Sequence, residues 1–132
     1  MTSLERLKAI GFYECGEWAI ESNRLVVKIR ACPDENNILY AFVIDEAVMY
    51  IGKSVRGFRA RMHGYQNPHE SQRTNFRNNT NLVSKIGSGS HVAIYVFQDK
   101  EQRRYGEFRI NLAAGLEDSL VDGLKPPWNN GK

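Results

Sequence analysis

Several absences narrow this sequence before any motif does. No stretch approaches the roughly 18 apolar residues of a membrane-spanning helix. The amino terminus, MTSLERLKAIGF, is charged from Glu5 onward and has no apolar core of signal-peptide length. Cysteine is scarce: Cys15 and Cys32 stand far apart with no CxxC spacing. His63, His69 and His91 form no HxxxH or HExxH pair, so no structural zinc site is expected. Together these predict a cytoplasmic protein with reduced thiols and no membrane partner. A strong charge of one sign is missing too, since 18 Lys and Arg face 15 Asp and Glu for a formal +3. That balance allows an anionic partner without demanding one. Repeats and low-complexity tracts are absent, and Pro and Gly punctuate elements instead of forming a linker.

What remains is 132 residues, 42% of them hydrophobic, enough for one domain with a genuine core. Ser3 to Ile10 reads as a short helix before Gly11. Trp18 to Glu21 and Arg24 to Arg30 read as strands around a tight Ser22-Asn23 turn. Residues 31–37 carry turn chemistry in Pro33, Asp34 and two Asn. From Ile38 to Ile44 every residue is apolar or aromatic, which places this strand inside a sheet with both faces covered. After Asp45-Glu46, Ala47 to Ile51 returns as a strand ended by Gly52. Val55, Phe58, Met62 and Tyr65 recur at helical spacing. Gly64 to Asn79 reads as a long polar loop, and Thr80 to Ile86 as a short helix stopped by a left-handed Gly87. His91 to Phe97 is a third sheet strand, and Asn111 to Leu124 a last helix closed by Pro126-Pro127. The order predicts an α/β (α+β) fold: a small mixed or antiparallel sheet flanked by helices.

One acid in the last helix stands apart from its neighbours. Ala113, Leu116, Leu120 and Leu124 define an apolar face at about 100° per residue, and Glu117 points within that face. Asp118 and Asp122 project away from it. A carboxylate so placed must be paired or ligated. Two readings stay open: an ion pair with an Arg, or a ligand for a hard divalent cation. Arg61 lies at the edge of its own helix's apolar stripe, with Tyr65 four residues on. It suits a structural ion pair, or a phosphate oxygen, for which its planar fork is better shaped than Lys. Gly52-Lys53-Ser54 ends like a P-loop, but the Gly needed five residues earlier is Ala47, so no phosphate cradle is expected.

The set, from Ile38 to Asn130, resembles the GIY-YIG nuclease family. Ile38-Leu39-Tyr40 stands where the family has GIY, and Tyr50-Ile51-Gly52 is a literal YIG followed by Lys53. Phe58-Arg59-Ala60-Arg61-Met62 resembles the helix bearing the catalytic arginine, with Tyr65 where His or Tyr is frequent. Glu117 matches the metal-binding glutamate, and Pro126-Pro127-Trp128-Asn129 the closing segment whose Asn returns to the site. The stretches 74–79 and 92–97 are similar to the branch related to restriction endonucleases and small bacterial members. Two departures stand out: Ile38 replaces the Gly of GIY, and one extra residue separates YIG from Arg61. On this resemblance residues 37–132 form the nuclease-like domain, and 1–36 an N-terminal helix and hairpin adding sheet or dimer surface.

The resemblance implies an endonuclease that hydrolyses nucleic-acid phosphodiesters, DNA first among them, with one Mg²⁺ or Mn²⁺ per site on Glu117. Arg61 would clamp phosphate. Tyr40 and Tyr50 both stand for the general base, and the restriction-enzyme branch points to Tyr40, with Tyr50 orienting water or phosphate. A free tyrosine is ionised about once in a thousand at neutral pH, so Lys53, Arg61 and the metal are expected to lower its pKa. Lys53, Arg61, Arg73, Asn75, Arg77 and Asn78 are the expected nucleic-acid contacts. Cutting both strands would take a homodimer. The alternative is a nucleic-acid-binding module with the same fold that no longer cuts, and a third reading is a partner-binding domain.

Strand geometry adds a constraint. Side chains alternate along a strand, so Tyr40 and Tyr50 share a face only if paired residue numbers sum to an even value. A two-residue turn at Asp45-Glu46 gives an odd sum. A shared site therefore predicts a three-residue connection or a bulge.

Overall fold

The computed structural model describes residues 1–31, 34 and 36–129. The turn read at 31–37 falls in part on Cys32, Pro33 and Glu35, which lie outside the described residues, as does Asn130. The chain begins with α1 (Ser3–Ala9), held by a reciprocal cap. The Glu5 N–H donates to Thr2 Oγ1 at 3.1 Å and the Thr2 N–H to Glu5 Oε1 at 2.8 Å. β1 (Tyr13–Glu21) and β2 (Arg24–Ile29) turn at Ser22 and Asn23, both left-handed at φ 52° and 62°. β3 (Ile38–Ile44) and β4 (Ala47–Ser54) form a second hairpin, followed by α2 (Phe58–Gln66), α3 (Arg73–Gly87) and β5 (Val92–Gln98). A short ribbon, β6 (Arg104–Tyr105) and β7 (Phe108–Arg109), precedes α4 (Leu112–Leu124) and a 3₁₀ turn over Pro127–Asn129.

Five strands make one sheet in the order β2-β1-β5-β3-β4, antiparallel at every pairing. The expected α+β class is the class found, with the sheet wholly antiparallel. All seven residues of β3 are buried, as its unbroken apolar run requires of an interior strand. One face carries Trp18, Tyr40, Phe42, Tyr50 and Ile94 against Phe58, Met62 and Tyr65 of α2 and Leu82 of α3. The other carries Leu39, Ala41, Val43, Val48 and Ile51 against Leu4 and Leu7 of α1 and Ala113 of α4. The β1–β2 hairpin joins this sheet through β1, which pairs with β5.

The predicted bulge is present. The β3–β4 turn has two residues, Asp45 and Glu46, at φ 48° and 65°, and pairs Ile44 with Ala47 and Val43 with Val48. The register then slips by one, so that Phe42 pairs with Tyr50 and Tyr40 with Gly52. Met49 is the inserted residue, and it carries Tyr50 onto the face of Tyr40.

Other expectations need correction. The polar loop expected over 64–79 is mostly helix, because α3 starts at Arg73. Its inward positions in the first half are Asn75 and Asn78, so amides occupy the stripe where apolar residues would have marked the period. Val55 lies outside α2, which starts after a left-handed Gly57 at φ 72°. β4 runs through Gly52 to Ser54, and β1 begins at Tyr13, before Trp18. Gly87 is the last residue of α3, and Gly89, at φ 96°, takes the left-handed position. The β6–β7 ribbon had no sequence signal strong enough to be read. Cys15 is not a reduced thiol but disulfide-bonded. It sits where β1 shifts register against β5, and its carbonyl accepts the N–H groups of Arg30 at 2.8 Å and Ala31 at 3.4 Å, which hold the chain leaving β2 beside it. No helix among the described residues is long and apolar enough to cross a membrane.

Candidate active site

Three tyrosines form a cluster on the α2 side of the sheet. The rings of Tyr40, Tyr50 and Tyr65 lie 6.2 to 6.4 Å apart, centre to centre. The hydroxyls of Tyr40 and Tyr65 share a hydrogen bond at 2.5 Å. Both side chains are fully buried, and Tyr50 is nearly so. Gly52 makes room for this arrangement, since a Cβ there would come within 2.5 Å of the Tyr40 hydroxyl and 2.6 Å of its ring.

Arg61, on α2, is half-buried beside the cluster. Its guanidinium lies 4.5 Å from the centre of the Tyr65 ring, and its Nη1 donates to Asn75 Oδ1 at 2.6 Å. The Asn75 Nδ2 in turn donates to Gln72 Oε1 at 3.3 Å, which orients the amide. Gly64, inside α2, leaves space for the contact: a Cβ would stand 3.2 Å from Asn75 Nδ2 and 3.8 Å from Arg61 Nη1. A mid-helix glycine costs about 0.5–1 kcal/mol relative to Ala, and that anomaly was the sequence signal for this missed contact.

Glu117 comes from the opposite side of the sheet. α4 packs there through Ala113, Leu116, Leu120 and Leu124, and Glu117 is half-buried at the margin of that face while Asp118 and Asp122 are exposed. Lys53 reaches the same side, being paired across the ladder with Leu39. The chain then wraps the open edge of β4. Asn129 accepts the Ile51 N–H on Oδ1 and donates from Nδ2 to the Ile51 carbonyl, each at 2.9 Å, while Trp128 packs against the tyrosine side. The tyrosine cluster and α4, which carries Glu117, thus lie on opposite faces of the sheet, and Asn129 is bonded to Ile51 at its β4 edge.

Glu117 forms no salt bridge among the described residues, and Arg61 is tied to Asn75 instead. Burial raises the Glu117 pKa above the ordinary carboxylate value. Lys53 works against that, Asp118 adds to it, and Arg61 lowers it again. Burial pushes the Tyr40 phenol well above the ordinary tyrosine value, Tyr50 and Glu117 add to the rise, and Arg61 and the Tyr65 hydroxyl oppose it. The expected lowering by cationic neighbours is thus reversed in the protein alone, because desolvation outweighs one guanidinium. Tyr65 is shifted upward for the same leading reason. On Arg61 burial acts against the charge, but Tyr40, Tyr65 and Tyr50 more than offset it, and its pKa is raised.

The structure brings Tyr40, Tyr50, Tyr65, Lys53, Arg61 and Glu117 into one electrostatic neighbourhood. The α3 residues divide: Arg73 and Arg77 are exposed, whereas Asn75 and Asn78 are buried. No group of three or more His, Cys, Asp or Glu side chains able to hold a metal occurs among the described residues. A broad surface cleft lies elsewhere, lined by Tyr13, Asn37, Gln98, Arg109 and Asn111 among others, and none of the site residues borders it.

No protein-family model matches the sequence, and no curated protein matches it. Two solved structures share the fold. A point mutant of bacteriophage T4 EndoII aligns at a TM-score of 0.71 and 23% identity, covering 98% of both chains. The restriction endonuclease HPY188I in complex with product DNA aligns at 0.57 and 15% identity, covering 100% of this chain and 87% of the other.

Proposed function

We propose that this chain is a metal-dependent endonuclease of the GIY-YIG type, hydrolysing DNA phosphodiesters. The observation that carries the reading is Glu117: a half-buried carboxylate without a salt-bridge partner among the described residues, in the electrostatic field of Arg61 and Tyr40. The shared fold with a restriction endonuclease that holds product DNA supports DNA as the partner.

The residues present fit a divalent cation. Glu117 offers a hard oxygen donor whose burial disfavours an uncompensated charge, and with no group of three or more such donors among the described residues, water and phosphate would complete its shell. One Mg²⁺ or Mn²⁺ held there would supply Lewis-acid stabilisation of the leaving 3′ oxygen. The side chains do the rest. Arg61, its fork held by Asn75 and by the Tyr65 ring, receives a phosphate oxygen. Tyr40 takes the proton of the attacking water, and Tyr50 orients that water or the phosphate. Lys53 favours negative charge on Glu117. Asn129 acts through the backbone of Ile51 as a positioning residue. Arg73 and Arg77 meet the DNA backbone from the outer side of α3, and a homodimer would bring the second site needed for both strands.

A plasmid-nicking assay with Mg²⁺ or Mn²⁺ on wild type, Glu117→Ala and Arg61→Ala tests this. Metal-dependent nicking that falls about 10²-fold or more in each folded variant is expected. Binding without cutting would leave a silent nucleic-acid-binding module, and neither activity would leave a partner-binding domain.

A further inference from the structure

The β6–β7 ribbon carries side chains that nothing among the described residues explains. Tyr105 pairs with Phe108 across it, and Arg104 with Arg109. Cross-strand partners share a face, so the aromatic pair lies on one side and the arginine pair on the other. Tyr105 is 81% and Phe108 68% exposed. Arg104 donates to the Glu107 carbonyl at 3.1 Å, and neither Arg104 nor Arg109 forms a salt bridge among the described residues, whereas Arg103 is spent on Glu101. Like charges directly opposite each other destabilise a ladder, so the Arg104–Arg109 pair costs stability unless an anion lies beside it. Two solvated aromatic rings add a second cost. Both are relieved by one class of partner, a polyanion whose grooves also present apolar sugar and methyl edges.

From this we infer that the ribbon is a second DNA-contacting element, with Arg104 and Arg109 on backbone phosphates and Tyr105 and Phe108 against sugars and the edges of bases in the groove. Its width suits it: a two-stranded ribbon enters a major groove about 12 Å wide. So does its place. The Ile110 N–H closes the ribbon on the Arg103 carbonyl at 2.8 Å, and the next residue, Asn111, caps α4 by accepting the Ala114 N–H. Glu117 lies six residues along that helix, about 9 Å of axial rise from the ribbon's base. A duplex held at Glu117 therefore passes within reach, and the inference rests on the nuclease reading only for that placement.

Fluorescence anisotropy with a labelled duplex of defined length, in EDTA so that no cutting occurs, tests it alongside nicking in Mg²⁺. Tyr105→Ala with Phe108→Ala is expected to weaken duplex binding about 10-fold or more and to raise KM with kcat little changed. Arg104→Ser with Arg109→Ser should flatten the dependence of log affinity on log salt by about 1 to 2. Tyr105→Leu with Phe108→Leu keeps apolar bulk on the exposed face and guards against a folding artefact; it should bind as weakly as the alanine pair. Unchanged binding in all three variants while wild type cuts would overturn the ribbon's role and leave the nuclease standing. Weakened binding in a chain that never cuts would do the reverse. If instead the aromatic variants dissociate an oligomer by light scattering with duplex affinity intact, the face is an interface between copies and the inference fails.

Discussion

Gly52 lies across the β3–β4 ladder from Tyr40, and the Tyr40 phenol occupies the space that a side chain at position 52 would need. The glycine is a packing partner of the tyrosine, not the end of a strand. Phe42, Phe58 and Tyr65 surround the ring, so it has nowhere to retreat. Gly52→Ala should therefore destabilise the protein by about 1–3 kcal/mol, the usual cost of overpacking a tight core. Thermal denaturation measures this, and an unchanged melting temperature would show that the ring moves freely.

Arg61 is held by Asn75 and by the Tyr65 ring, both of which depend on a planar guanidinium. Arg61→Lys keeps the charge but loses the fork. Nicking should fall about 10²-fold with the fold intact by circular dichroism. Asn75→Ala leaves the guanidinium in place but free to turn, so it should lower kcat by a smaller factor than Arg61→Lys. Equal activity of Asn75→Ala and wild type would show that the hydrogen bond does not matter to the reaction.

The raised pKa of Glu117 fixes the sign of a pH effect. A group whose folded pKa exceeds its unfolded value stabilises the fold below the unfolded pKa, and that contribution is lost as pH rises through the folded pKa. At neutral pH the ionised Glu117 therefore costs stability in the metal-free protein. Glu117→Gln should melt higher than wild type at pH 7 without metal, with the gap closing in acid. Added Mg²⁺ should raise the wild-type melting temperature and leave Glu117→Gln unmoved. A metal-free variant that melts lower than wild type at pH 7 would contradict the burial of this charge.

Burial holds Tyr40 above the ordinary tyrosine value. If Tyr40 is the general base, the ionised fraction grows with pH throughout the neutral and mildly alkaline range. The rate of the chemical step should climb without a plateau from pH 7 to 9, and Tyr40→Phe should abolish the climb. A rate independent of pH there, with chemistry limiting, would remove Tyr40 from the role.

Asn129 closes the outer edge of β4 with two hydrogen bonds to Ile51. Asn129→Ala should cost about 1–3 kcal/mol at roughly 0.5–1.5 kcal/mol per bond, read from chemical denaturation. If Asn129 acts only by positioning, metal should still raise the melting temperature of the variant.

Much of the fold was legible because it is written in short-range pattern. The turn at Ser22-Asn23, the buried run of β3 and the apolar face of α4 each depend on residues within one or two turns of chain. The same periodicity singled out Glu117, since an acid among leucines at helical spacing is visible without a partner. Alternation along the strands even required a bulge if Tyr40 and Tyr50 were to share a face. It could not say that Met49 is the inserted residue, because a bulge is set by what both sheet faces must bury.

Only the tertiary structure decided the rest. The first half of α3 was hidden because its inward positions are Asn75 and Asn78, and the contact of Asn75 with Arg61 of α2 is one that no local period records. The direction of the Tyr40 shift depends on burial among Tyr50 of β4 and Phe58 and Tyr65 of α2. That Glu117 and Arg61 act on each other's charge from opposite faces of the sheet depends on how α4 and α2 pack against it. Local sequence specifies which side chains share a face, because backbone geometry repeats within each element. Long-range packing alone determines which faces meet, and the chemistry proposed for this site would reside at such a meeting.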